Sequence, residues 1–296
     1  MNVFLIHAHP EPKSLNGALR DLAVETLTAL GHAVQVSDLY AMRWKAVADA
    51  GDFLDPGDPG RLFYGRESRR AYAGGTQGGD IAAEQAKLLW ADAVILQFPL
   101  WWFSMPAILK GWFERVFAYG FAYGVGRHEG EHWGDRYGEG TLLGRRALVS
   151  VTIGGREAQY SPRGVNRALD DVLFPIQHGT LYYPGMAVLE PFVIYEADRL
   201  SPERWAEAAG RYRARLGTLF TEAPIPYRRQ NGGHYDGRQV LKDGLGRGES
   251  GTRIHLRQPG DPAEAPLPQV AIPAAGEARG RPEPGSWAGS QAAAAS

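Results

Sequence analysis

The chain has 296 residues, a formal charge of -1 from 32 Lys plus Arg against 33 Asp plus Glu, and no cysteine. The charge balance argues against a dedicated nucleic-acid binder, and the missing cysteine excludes disulfides, thiolate metal sites, iron–sulfur clusters and a cysteine nucleophile. With 44% hydrophobic residues and no apolar run of the ~18 residues a spanning helix needs, the composition is globular, without stable membrane insertion. The start, Met1-Asn2-Val3-Phe4-Leu5-Ile6-His7, lacks a basic leader region and a small-residue cleavage site, so the expected location is the cytoplasm.

Val3 to Ile6 is a continuous apolar run and predicts a buried first strand. It opens into the polar loop His7 to Asn16, and Leu19, Leu22, Ala23, Leu27 and Leu30 then fall at helical spacing over Gly17 to Leu30, stopped by Gly31. Val34 to Tyr40 reads as a second strand, so the start is β-α-β, the signature of a parallel sheet. Residues 41–79 are polar and rich in Gly and Pro and read as a long surface excursion. Asp80 as N-cap opens a helix over Ile81 to Trp90, and Ala93 to Phe98 follows as a third strand. Pro106 to Phe117 predicts a helix with proline in its first turn. Residues 118–144 form a Gly-rich insertion before a fourth strand over Arg145 to Ile153. A short helix from Gly164 to Leu173, a fifth strand from Leu181 to Leu189 and a last helix from Ser201 to about Phe220 complete the alternation. The expectation is an α/β fold, a doubly wound five-stranded parallel sheet with helices on both faces, over residues 1–222. Residues 223–258 read as an extended arm. In 259–296, Ala, Gly and Pro supply 23 of 38 residues, too few apolar side chains for a core, and a disordered tail is expected.

Ligands of open parallel sheets bind beyond the carboxyl ends of the strands, which singles out three loops. The first lacks both G-x-G-x-x-G and the P-loop pattern, but carries His9, Lys13, Ser14 and Asn16 at a helix N-terminus, where a phosphate is favoured. A plain Ser14 cap explains the same residues equally well. The second loop, Pro99-Leu100-Trp101-Trp102-Phe103, offers aromatic faces to a planar ring, unless its rings are core. The third pairs Gly154-Gly155 with Tyr160; glycines let backbone approach a ligand, though more often they only turn the chain. A phosphate cradle, an aromatic wall and a glycine–tyrosine floor together suit a flavin. His128 and His132 stand four apart, but the intervening Gly130 argues against a helical metal pair, and no metal is expected.

The segment from Gln97 to Phe117, QFPLWWFSMPAILKGWFERVF, closely resembles the core motif of the NAD(P)H:quinone oxidoreductase (DT-diaphorase) family. Ala8-His9 with Ser14-Leu15-Asn16, Ser37 to Met42, Phe121-Ala122-Tyr123, Gly154-Gly155 with Tyr160-Ser161, and Phe174 to Gln177 extend the resemblance over about residues 1–225. It implies a flavodoxin-like fold, a homodimer with sites at the subunit interface, bound FAD (FMN being the alternative), and a ping-pong reaction. NAD(P)H delivers a hydride, and a quinone or similar planar electrophile then takes two electrons at the same place. A bacterial source is expected. By motif position, His9, Ser14, Leu15 and Asn16 would hold the phosphates and ribityl chain, and Pro99, Leu100, Trp101, Trp102 and Phe103 would line the ring system. Thr152, Ile153, Gly154 and Gly155 would hold the pyrimidine edge. Tyr160 would stabilise the reduced cofactor, and Phe121, Ala122 and Tyr123 would lie over nicotinamide or quinone with Trp102 and Phe103. The sequence departs from the family at Asn166, where the tyrosine's partner histidine belongs: Asn donates hydrogen bonds but carries no proton at neutral pH. Val125 replaces the second lid aromatic, and Phe63 replaces a glutamine near the adenosine end.

Two other readings compete with the reductase. Related short flavoproteins are ancillary subunits of potassium-efflux systems, which argues for a membrane partner; the insertions and C-terminal extension argue against it. A one-electron flavodoxin carrier would be smaller and strongly acidic.

Overall fold

The computed structural model describes residues 1–58, 60–130 and 132–267. In chain order the elements are β1 (Asn2–His7), α1 (Leu15–Ala29), β2 (Ala33–Asp38), α2 (Tyr64–Gly74), α3 (Gly79–Trp90), β3 (Ala93–Pro99), α4 (Ala107–Val116), β4 (His128–Glu129), β5 (His132–Trp133), β6 (Arg146–Ile153), α5 (Leu169–Ile176), β7 (Ala187–Val188), β8 (Phe192–Tyr195) and α6 (Pro202–Gly217). The main sheet runs β2-β1-β3-β6, all parallel, and its fifth position is filled by β7 and then β8 along β6. Strand order reverses between β1 and β3, so the ligand crevice is expected outside their carboxyl ends.

Strand alternation sorts side chains into two cores. Phe4, Ile6, Val94, Leu96, Val149 and Val151 pack against Ile81 and Leu88 of α3 and Leu109 and Trp112 of α4. Val3, Leu5, Ile95 and Leu148 pack against Leu19, Leu22 and Leu27 of α1 and Tyr212 and Leu216 of α6. Buried on both faces, β1, β3 and β6 read as largely apolar runs, interrupted by His7, Gln97, Ser150 and Thr152.

Several expectations need correction. Leu181–Tyr182 are not strand: α5 continues into a π-helical turn over Gln177–Tyr182, and the fifth position is built from β7 and β8. The short helix starts at Leu169, not Gly164. Asp80 lies in the first turn of α3 and Gly78 is the cap. Residues 41–79 are not a loose excursion. They contain α2, and they are held down by a buried ionic cluster: Arg115 of α4 reaches Asp52 at 2.9 Å and Asp80 at 2.8 Å, while Lys45 and Tyr64 also bond Asp52. Burial alone would raise the Asp52 carboxyl, but hydrogen bonds from Arg115, Lys45 and Tyr64 outweigh it and hold the group below the usual carboxylate range.

The insertion carries the hairpin β4–β5, on which the C-terminal arm lies. Trp133 Nε1 donates to the Gly237 carbonyl, Arg136 donates to Gln230 and Gln239, and Asn231 donates to Glu139. The chain just beyond 258 is tied to the arm: Asp261 pairs with the fully buried Arg228 at 2.8 Å, and Glu264 with Arg229 at 3.0 Å. The rest of the expected tail, 268–296, lies outside the described residues. Among the described residues no helix is long and apolar enough to cross a membrane.

Candidate active site

Outside the carboxyl ends of β1, β3 and β6 lies a cavity of about 350 Å³, lined by His9, Ser14, Leu15, Asn16, Pro99, Leu100, Trp101, Thr152, Gly154, Ala197 and Asp198. Its floor starts at the N-terminus of α1. Ser14 caps the helix, its side chain accepting from the Gly17 amide at 3.2 Å. The Leu15 and Asn16 amides that follow have no acceptor within the helix and present the positive end of its dipole. So Ser14 does cap the helix, and the cap lies at the edge of a cavity suited to an anion. The preceding loop closes tightly over this turn: a Cβ on Gly17 would sit 2.0 Å from the Pro12 carbonyl oxygen. His9 Nδ1 meets both the amide and the carbonyl of Glu11 at 3.1 Å, which leaves Nε2 as the ring nitrogen not engaged by Glu11.

The aromatic wall is a strained turn. The Leu100 amide donates to the Thr152 carbonyl at 2.8 Å, and Trp101 and Ser104 exchange backbone hydrogen bonds at 3.0 Å. Between them Trp102 and Phe103 have φ of 50° and 61°. A two-residue turn with positive φ at both central positions favours Asn-Gly; bulky aromatics there cost about 1–3 kcal/mol each. The turn presents the rings outward: Trp102 is 95% exposed and Phe103 51%. They do not fill core, but neither lines the cavity; of the three aromatics Trp101 does, and it approaches the His9 ring at 6.0 Å.

At the glycine end, Gly154 packs against Asp198: a Cβ would lie 2.8 Å from its carboxylate. A Cβ on Gly155 would lie 3.1 Å from the Tyr160 ring, which stands on a 3-10 turn, Glu157–Tyr160, beside the cavity. This backbone can be approached closely only because both residues are glycine. Asn166 is half-buried, its amide bonded to the Gln159 carbonyl, which folds the 161–168 loop back on the tyrosine turn.

Some expected site residues are not brought to this cavity. The Ile153 side chain is 1% exposed and belongs to the α3/α4 core, because alternation along β6 sends it opposite to Thr152. Phe121 is 0% exposed and packs on Tyr72, Ala122 is buried, and half-buried Tyr123 meets Tyr119 at 4.9 Å. This segment packs on α2, where Ser68 Oγ accepts from the Tyr119 amide. Conversely, Ala197 and Asp198 line the cavity without having been expected. They follow β8, a fourth loop at the same sheet edge, hidden by placing the fifth strand at Leu181 to Leu189.

The segment from Gln97 to Phe117 also divides in two. In its first half Pro99, Leu100 and Trp101 are cavity wall. Its second half is scaffold: Trp112 Nε1 donates to buried Glu84 at 2.9 Å, Arg115 anchors the ionic cluster, and a Cβ on Gly111 would lie 2.0 Å from the Ala46 carbonyl oxygen. In the insertion, His132, Asp135 and Glu139 bring ligand atoms within 4.8 Å of one another. Each has a protein partner: His132 Nε2 pairs with Asp135 at 2.9 Å, and Glu139 accepts from Asn231.

A family model for the flavodoxin-like fold matches residues 1–216. A ribosyldihydronicotinamide dehydrogenase-like protein of Penicillium crustosum is 53% identical over 235 residues, 79% of this chain and 87% of that protein. The human ribosyldihydronicotinamide dehydrogenase [quinone] is 41% identical over 225 residues, 76% of this chain and 94% of its own length. NAD(P)H dehydrogenase [quinone] 1 of Cavia porcellus is 40% identical over 222 residues, covering 75% and 78%. A crystal structure from Klebsiella pneumoniae, of a protein assigned as a quinone reductase, superposes with a TM-score of 0.84 at 56% identity, covering 86% of this chain and 99% of that one. With this fold, this cavity and these relatives, the chain belongs to the NAD(P)H dehydrogenase (quinone) family of flavodoxin-like proteins.

Proposed function

We propose that the chain is a flavin-dependent NAD(P)H:quinone oxidoreductase that works as a homodimer. The observation that carries this is that the α1 N-terminus and Trp101, which opens the strained Trp102-Phe103 turn, line one cavity: an aromatic surface and an anion site lie together. When bound there, the flavin supplies the hydride acceptor and donor. The chain's own residues do the rest. The Leu15 and Asn16 amides and His9 Nε2–H bind phosphate. Asp198, a carboxylate, suits the ribityl hydroxyls that FAD and FMN share; we assign FAD. Trp101, Trp102 and Phe103 provide the wall for the ring system. The Gly154 and Gly155 backbone would hold the pyrimidine edge, and the Tyr160 hydroxyl would donate toward negative charge developing there. Asn166 cannot titrate, so its side chain would act on Tyr160 only electrostatically, while its backbone N–H ties the loop to the Gln159 carbonyl.

The exposed apolar side chains of Trp102, Phe103 and Val165 call for a cover. A second copy supplies one. Phe121 and Ala122 stay in the core, so Tyr123 is the lid residue placed over the partner's cavity. The relatives carry dehydrogenase names, which favours an enzyme over an ancillary efflux subunit, and they divide between NAD(P)H and ribosyldihydronicotinamide as donor in those names. We assign NAD(P)H. The test is initial-rate kinetics with NADH, NADPH and ribosyl-dihydronicotinamide against a soluble quinone, on protein reconstituted with FAD or FMN. Parallel double-reciprocal lines, with the highest rate from a dinucleotide and FAD, are expected. A rate only with the ribosyl donor overturns the donor assignment, and no turnover with any donor overturns the enzyme reading.

A further inference from the structure

Beneath the cavity, a row of buried polar side chains crosses the sheet in one register. His7 of β1 stands opposite Gln97 of β3, and Gln97 opposite Ser150 of β6. All three are 0% exposed. One step below in the same register stand Leu5, Ile95 and Leu148, so the row caps the apolar core on the α1 side.

From Gln97 a directed chain rises to the cavity. Gln97 Nε2 donates to Asn16 Oδ1 at 2.8 Å, and Asn16 Nδ2 donates to Thr152 Oγ1 at 2.9 Å. Asn16 and Thr152 are each 4% exposed, and both line the cavity. The direction has a consequence. Thr152 Oγ1 spends acceptor capacity on Asn16, which leaves its hydroxyl hydrogen for the cavity. Turning both amides over would reverse this: Thr152 would donate to Asn16 and meet a ligand as an acceptor. The observed direction leaves Gln97 Oε1 unpartnered beside a His7 ring that has no partner either. The reverse would leave the buried Gln97 NH2 group without its acceptor on Asn16, and an orphaned N–H group is rarer than an under-satisfied carbonyl.

We propose that Gln97 is a positioning residue for the cofactor: by fixing the Asn16 amide it makes the Thr152 hydroxyl a hydrogen-bond donor toward an acceptor atom of the flavin. This rests on the flavin reading above. Gln97 touches no ligand itself, and it acts through two side chains that do.

The experiment is a double-mutant cycle on the full chain, with the dissociation constant of added flavin as the readout. Gln97→Met keeps the volume and removes the donor. It is expected to weaken flavin binding about tenfold, and less than twofold in a Thr152→Val background. Gln97→Glu serves as a second variant if the methionine protein melts early. Its carboxylate only accepts, so flavin affinity is expected to fall as pH rises through that group's titration, while the parent protein and the Gln97→Glu/Thr152→Val double variant stay flat. Equal effects of Gln97 substitution with and without Thr152, or a pH-independent Gln97→Glu protein, would overturn the proposal. A parent protein that takes up no flavin would instead overturn the reading it rests on.

Discussion

Trp102 and Phe103 show what the proposed stacking residues cost. Their rings are exposed and their backbone sits where Asn-Gly would be comfortable. Replacing the pair by Asn-Gly (Trp102→Asn with Phe103→Gly) should raise unfolding free energy by about 1 kcal/mol or more and abolish quinone reduction. A urea melt and a turnover assay check both halves; a destabilised double variant would mean that the rings are held by packing. The residue types were legible, because three aromatics after a buried strand are unusual. The positive φ was not, since nothing in the side chains requires it. His7 was read as the start of the polar loop although it is the buried last residue of β1, and His178, between Gln177 and Gly179, carried no periodic signal. Burial lowers His7 to about 4, with Asp38 opposing, and lowers His178 to about 3. Both rings are therefore neutral in the native state and protonate near pH 6.5 once unfolded. The unfolded state binds more protons, so stability is fully present above pH 6.5. It should fall toward pH 4 by up to about 1.4 kcal/mol per pH unit for each ring. Urea melts between pH 7.5 and 4.5 test this: His7→Gln and His178→Phe should each flatten the slope, and an unchanged slope in both would refute it.

At the scale of elements, the strands and helices with a strong period were readable, and the errors share a cause. Leu181 to Leu189 is apolar but is split by the π-helical turn that ends at Tyr182, a backbone feature set by packing on the arm. That error hid the loop holding Asp198. Residues 41–79 look like loop because their anchor is ionic: Asp52 and Arg115 are far apart in sequence, and periodicity cannot pair them. Arg115→Met should cost about 3–5 kcal/mol, since it leaves Asp52 buried without its guanidinium; a loss under 1 kcal/mol would show that Lys45 and Tyr64 suffice. The α1 N-terminus depends on Gly17. Gly17→Ala must push the Pro12 carbonyl away, with an expected cost of about 1–3 kcal/mol and weaker flavin retention. Calorimetry and bound-flavin absorbance measure the two separately, and an alanine protein with parental stability would refute the close approach.

At the scale of the molecule, a doubly wound parallel sheet was foreseeable from β-α-β alternation and its flavodoxin-like form from the family resemblance, whereas the use of the C-terminal chain was not. Composition marks 259–296 as unable to form a core, yet Asp261 and Glu264 pair with Arg228 and Arg229 of the arm. A chain ending at residue 258 should be less stable than one ending at 267, by about 3 kcal/mol, because Arg228 loses its buried carboxylate partner. Equal melting of the two truncations would show that the arm holds itself.

The central claim, that one cavity joins an anion site to an aromatic wall in order to hold a flavin for hydride transfer, is tested most directly by absorbance. Purified protein is loaded with FAD under anaerobic conditions, titrated with NAD(P)H and then with quinone. The account predicts a yellow protein that bleaches with the dihydronicotinamide and recovers its colour with one equivalent of quinone. A protein that stays colourless after exposure to FAD and FMN, or a bound flavin that NAD(P)H leaves oxidised, would contradict it.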